Sequence, residues 1–239
     1  MMQVRITLVL LLSLSSFMRG FAQEVPANMF WNETLIEAIR LDEARPVVHA
    51  RNLYHHGLGM YNLFGFYSDQ AGFAALDPLL DAEAWSNVSF LGADELELAW
   101  AAYSVRFIQI RFANSPGAEE LDALLNAKAS ERFGMSVAEL LSFNSIASLS
   151  AAYAEHLASW FLEDGSNEAN GYANTCYTPS NSHLELVSPT NACGISLDDL
   201  NKWQPLAFNG AEQPFLGANW GMVEPFALPE SAVTDVTRE

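Results

Sequence analysis

The sequence predicts an all-α protein: a partial bundle of five or six helices within residues 23–164, then a long irregular arm, rich in aromatics, over 165–239. Three observations lead there. Between residues 30 and 162, apolar side chains recur at helical spacing in several separate runs. The residues that start and stop helices fall between those runs. After Asp164-Gly165 the periodicity vanishes, and six of the ten prolines lie between 165 and 229.

Residues 30–44 read as a short helix, with Trp31, Leu35, Ala38 and Ile39 on one side. Pro46 suits the first turn of a second helix, where its missing N–H costs nothing. That helix runs to about Tyr67. Ala50, Leu53, Tyr54, Gly57, Leu58, Met60, Tyr61 and Phe64 fill one broad apolar arc, which the spacing assigns to the core. Ala50 and Gly57 lie near its centre and would let another helix approach. His49, Asn52 and His56 form one polar stripe beside the arc, and Arg51, His55 and Asn62 form another. Residues 68–89 read as a connection. Asp94 to about Ala113 is a third helix. Ser115-Pro116 starts a fourth, with Glu119 and Glu120 at its positive end, Lys128 and Arg132 at its negative end, and Gly134 as a stop. Ser136 and Glu139 form a capping box for a short fifth helix. A sixth spans Ser145 to Leu162. The arm that follows holds seven aromatics, among them Tyr172, Tyr177, Trp203, Phe215 and Trp220. That many argues for an arm that packs on something rather than a disordered tail.

The N-terminus has the pattern of a secretory signal. Arg5 precedes an apolar run from Ile6 to Leu14, and Gly20 and Ala22 place small residues before a cut at Gln23. Residues 1–22 are therefore expected to be removed and the protein to be secreted or periplasmic, with no membrane span after cleavage. The competing reading is a buried N-terminal helix. Cleavage leaves 11 − 2 = 9 basic residues against 29 acidic ones, a charge of −20. Such a surface repels nucleic acid and anionic lipid. Cys176 and Cys193 are the only cysteines, and in an oxidising compartment the pair is a disulfide candidate.

Several segments resemble one family. They are RPVVHARN (Arg45 to Asn52) with the aromatic-rich helix after it, DGSNEANGY (Asp164 to Tyr172), NKWQPL (Asn201 to Leu206) and FLGANWGMVEPFAL (Phe215 to Leu228). In that order, they resemble the N-terminal half of bacterial vanadium-dependent haloperoxidase-like proteins, of the phosphatidic acid phosphatase type 2 superfamily. There are departures: Tyr61 to Asp69 replaces a stretch that tends to hold Asp, Trp and Ala, and Ser145 to Ala151 lacks a glycine. The resemblance implies halide oxidation by peroxide, or phosphate ester hydrolysis, for a full-length relative. It also implies a partner, a C-terminal catalytic helical bundle. That bundle would bind vanadate or phosphate through K-x6-R-P, P-S-G-H and S-R-x5-H, because an oxyanion needs several fixed cationic donors and an axial nitrogen.

This sequence has Arg45-Pro46, but Ala38 stands at the lysine position, and P-S-G-H and S-R-x5-H do not occur. The expectation is a chain truncated before the catalytic motifs, inactive alone, with no cofactor of its own. Vanadate is expected only in full-length relatives, and DNA downstream of codon 239 is expected to encode the missing motifs. The rival is a stand-alone secreted helical interaction module. His49, Arg51 and His56 are the remaining catalytic candidates. No carboxylate accompanies the histidines at metal-ligand spacing, so hydrogen bonding at a helix interface is the favoured role. DGSNE looks superficially like a calcium loop but lacks its alternating ligands, and reads instead as a helix stop.

Overall fold

The computed structural model describes residues 25–68, 92–175, 177–185 and 199–224. These residues are mostly helical. The six α-helices among them are α1 (Ala27–Ile39), α2 (Pro46–Ser68), α3 (Ala93–Arg111), α4 (Ala118–Phe133), α5 (Val137–Leu141) and α6 (Ser145–Phe161). None is long and apolar enough to cross a membrane. Cys176 and Cys193, the signal segment and most of the 68–89 connection lie outside the described residues.

α3 is the axis of the bundle. Ala99, Ala101, Ala102, Tyr103, Val105, Phe107 and Ile108 are wholly buried, on all sides of the helix, so its neighbours surround it. α6 lies along it through Ala147, Ser150, Ala154 and Ala158. Side chains this small let two helix backbones run close together. Trp31 and Leu35 of α1, Leu63 of α2, Leu125 of α4 and Leu140 of α5 close the core around it.

Sequence logic accounts for several helix ends. The capping box is present: Ser136 Oγ accepts from the Glu139 N–H, and the Glu139 carboxylate accepts from the Ser136 N–H. Asn144 caps α6 in the same manner, through the Ala147 N–H. Gly134 ends α4 with φ 67°. Elsewhere the boundaries shift. α1 begins at Ala27, directly after Pro26, and ends at Ile39 rather than residue 44. α4 begins after Gly117, not at Ser115-Pro116. The Gly117 N–H instead bonds the Leu41 carbonyl, and a Cβ on Gly117 would collide with Leu41. Lys128 and Arg132 reach tertiary partners, Glu37 and Glu97, as well as sitting in the second half of α4.

The largest correction concerns α2, whose polar stripes face inward. His49, Arg51, Asn52, His55, His56 and Asn62 are all buried. Part of the predicted core arc faces outward instead: Leu53 and Tyr61 are 42% and 50% exposed, and Ala50 and Gly57 are exposed beside them. Among the described residues, each of these buried polar side chains but Asn52 has a hydrogen-bond partner that offsets its desolvation. The close approach also occurs elsewhere than predicted. A Cβ on Gly57 would meet open space, whereas one on Gly59 would overlap the Tyr103 phenol ring.

The region after α6 is not wholly irregular. It contains two short 3-10 turns and a small sheet, β1 (Leu184–Glu185), β2 (Leu206–Phe208) and β3 (Ala211–Glu212), in that order. β1 runs parallel to β2, with Leu184 opposite Leu206. β3 runs antiparallel, with Phe208 opposite Ala211. Asn209 and Gly210 take φ 51° and 78°, as the two-residue hairpin turn requires. Buried Asn181 braces the connection by donating to the Asp199 and Lys202 carbonyls and accepting from the Asp199 N–H. Tyr177, Trp203 and Phe215 form a small aromatic cluster, with centroids 4.3 Å apart for Tyr177–Phe215 and 4.9 Å for Trp203–Phe215.

Candidate functional site

The densest polar constellation lies where α2, the end of α3 and the segment after α6 meet. Arg51 and His55 are one turn apart on α2 and so share a face. Arg111 is the last residue of α3. Asp164 follows α6, and Glu168 opens a 3-10 turn, Glu168–Asn170.

Arg51 Nη2 donates to Asp164 Oδ2 at 2.7 Å and to the Phe161 carbonyl at 3.0 Å. Its Nε and Nη2 both reach Glu168 Oε2 at 3.2 Å. The other Glu168 oxygen pairs with Arg111, which also donates to His55 Nδ1. Two guanidinium groups and two carboxylates thus form a charge-neutral cluster, with side-chain exposures of 4–7% for the arginines and 1% and 11% for the acids. Asp164 Oδ1 takes the Ser166 N–H, and the Asp164 carbonyl takes the Glu224 N–H. The cluster therefore also ties two distant loop segments to the bundle.

Arg111 can only donate, so His55 Nδ1 accepts and the ring proton sits on Nε2. Burial, then the charges of Arg111 and Arg51, push the His55 pKa far below its ordinary value. The ring is neutral and lies flat on Phe161, 3.3 Å between centroids. Burial also brings Arg111 down to about 10, still protonated at neutral pH. Arg51 sits over Phe161 and Trp220, 5.5 and 5.9 Å from their centroids.

The three predicted catalytic candidates do not converge. Arg51 belongs to this cluster. His49 Nε2 donates to the Glu43 carbonyl at 2.8 Å, its ring stacks on Phe112, and its Nδ1 is buried without a partner among the described residues. His56 is wholly buried, with Nδ1 3.1 Å from Asn32 Oδ1 and Nε2 2.9 Å from Ser104 Oγ. Burial lowers its pKa to about 3. Sequence reasoning missed Arg111, His55, Asp164 and Glu168 as a unit. The available signal was two i, i+4 polar pairs, Arg51/His55 and Asp164/Glu168. Among the described residues, no group of three His, Cys, Asp or Glu could hold a metal ion.

Two cavities flank the cluster. One, of about 390 Å³, is lined by Arg51, Tyr54, His55, Trp160, Phe161 and Trp220, among others. The other, of about 660 Å³, lies on the side of Asn52, Arg111, Glu168 and Tyr172. A glycine and two other residues with φ 62°, Gly171, Asn167 and Tyr172, shape the loop that closes it.

No family model, no curated protein and no solved structure matches the chain.

Proposed function

We propose that this chain is a non-catalytic, secreted or periplasmic helical module of the vanadium haloperoxidase-like class. It acts by docking a helical bundle that carries the oxyanion-binding residues, with residues 165–239 as an aromatic arm beside that joint. One observation carries the docking reading: the outward face of α2. In a chain of formal charge −18, this 23-residue helix holds a single Arg or Lys, no Asp or Glu, and buries that one residue, Arg51. Ala50, Leu53, Gly57 and Tyr61 face outward along its length. A groove of about 360 Å³ beside Gly57 is lined by Met60, Phe64 and Trp100. An apolar, uncharged strip with small residues at its centre suits a helix of a partner. The buried arginines support the non-catalytic half of the reading, because both are already matched by carboxylates and present no free cationic cradle to an oxyanion.

The test mixes residues 23–239 with a separately expressed bundle bearing K-x6-R-P, P-S-G-H and S-R-x5-H. Sedimentation reports association, and bromide oxidation and p-nitrophenyl phosphate hydrolysis report activity. Association that Leu53→Arg and Gly57→Arg abolish, with no turnover by this chain alone, is expected. Turnover by this chain alone that is lost in His49→Ala or His56→Ala would overturn the non-catalytic reading. A chain that stays monomeric beside the bundle would overturn the docking reading.

A further inference from the structure

The 660 Å³ cavity is a separate matter from the outward face of α2. Its volume falls within the range of small-molecule sites. Its charged groups are already engaged. Arg45 is held by Asp42 at 3.0 Å, Arg111 by Glu168, and Glu155 by Arg106 at 2.7 Å. An ionic ligand would have to break one of these pairs or leave its own charge unmatched.

What remains is neutral hydrogen-bonding capacity. Asn52 is 3% exposed, lines the cavity, and has no side-chain hydrogen bond among the described residues. Held on a buried residue yet open to the cavity, this amide is free to exchange water for a ligand. Arg111 Nε, on the same wall, is buried and also without a partner there. Asn114 adds a second amide at the rim. Tyr172 supplies an aromatic wall. It is held at φ 62°, a conformation that L side chains other than Asn and Asp seldom adopt, and its ring packs on Trp220 at 5.4 Å between centroids. Strain of this kind persists where surrounding structure enforces it, and concentrates at binding sites.

We propose that this cavity binds a small neutral polyhydroxylated ligand of the sugar class. Each hydroxyl both donates and accepts. One ligand can therefore satisfy the Asn52 amide and the spare lone pairs of Glu168 and Asp42 without displacing a guanidinium. The face of a sugar ring that carries only C–H bonds can lie on Tyr172. A neutral ligand leaves the charge balance of the wall unchanged.

The test uses saturation-transfer NMR and calorimetry on the whole secreted chain, with glucose, galactose, mannose and maltose as neutral probes. Glucuronate and glucosamine serve as charged counterparts. At least one neutral sugar is expected to bind, at least tenfold more tightly than either charged counterpart. Asn52→Ala should weaken that binding about tenfold with an unchanged melting temperature. Tyr172→Gly relieves the backbone strain and should keep the fold while losing the ring contact and the saturation transfer. The idea is overturned if no neutral probe binds, if a charged probe binds best, or if Asn52→Ala binds as the parent does. Leu53→Arg, which tests docking, should leave sugar binding intact, so the two proposals can fail separately.

Discussion

Glu168→Gln isolates the electrostatic part of the buried cluster, because the amide keeps the shape of the side chain and can still accept one N–H. Glu168 supplies both contacts of Arg51 at 3.2 Å and is the only carboxylate paired with Arg111 among the described residues. At an effective dielectric of 20, one pair of unit charges 3.2 Å apart interacts by about 5 kcal/mol. Removing Glu168 also removes its own desolvation cost, so the net loss is smaller. Breaking a buried pair by deleting one partner destabilises by about 3–5 kcal/mol. For a chain of this length, that corresponds to a fall in melting temperature on the order of 10 °C. Asp164→Asn should cost less, since Arg51 keeps Glu168 and the Phe161 carbonyl. Glu155→Gln breaks a pair in which Arg106 and Glu155 are 36% and 53% exposed, and should change stability by about 0–1 kcal/mol. Urea unfolding followed by far-ultraviolet circular dichroism at pH 7.5 measures all three. If Glu168→Gln were no more destabilising than Glu155→Gln, the cluster would not hold the loop to the bundle, and the account of its energetics would fail.

The two glycines of α2 predict opposite signs. Gly57→Ala should stabilise by about 0.5–1 kcal/mol, since its Cβ meets open space on an exposed helix, whereas Gly59→Ala should destabilise by about 1–3 kcal/mol by driving a methyl into Tyr103; thermal melts of the two variants that moved in the same direction would refute the orientation of α2. Acid should unfold the chain early: the unfolded state protonates His56 below about pH 6.5, the folded state only near 3, so stability present above 6.5 is lost as pH falls through that window, at up to about 1.4 kcal/mol per unit. His55 shifts in the same direction. The urea midpoint should therefore drop between pH 7.5 and 5, and drop less steeply in His56→Gln; equal slopes would show that His56 already carries its proton in the folded state.

Most helices were legible because their signals are local. The Ser136/Glu139 box and Gly134 each act within a few residues of their own position, and the structure uses them as read. The hairpin at Asn209-Gly210 was equally local. An Asn-Gly pair between Leu206–Phe208 and Ala211–Glu212 is a strong turn signal, and it was hidden only by the Pro-rich texture around it. Gly117 was illegible for a different reason. Its role as the start of α4 depends on Leu41, far away in the chain.

The face of α2 shows where periodicity loses its authority. A hydrophobic wheel assumes that apolar side chains go in because polar ones cannot. On α2 the buried side mixes polar stripes with Leu58, Met60 and Leu63, and the exposed side is itself apolar, so the wheel compares two nearly equal options. The balance is tipped by partners that lie 24 to 117 residues away: Asn32 and Ser104 for His56, Tyr153 for Asn62, Asp164 and Glu168 for Arg51. A buried polar group with a partner costs little, and one without costs much. The orientation of this helix is therefore encoded jointly by residues on α1, α3, α6 and the DGSNE segment, and no reading of α2 alone could recover it. Asn52 follows from the same orientation. It is carried inward with its neighbours on the polar face, yet it finds no side-chain partner among the described residues, and it opens onto the larger cavity. Water can serve the amide there, and a ligand that entered the cavity would take over those hydrogen bonds.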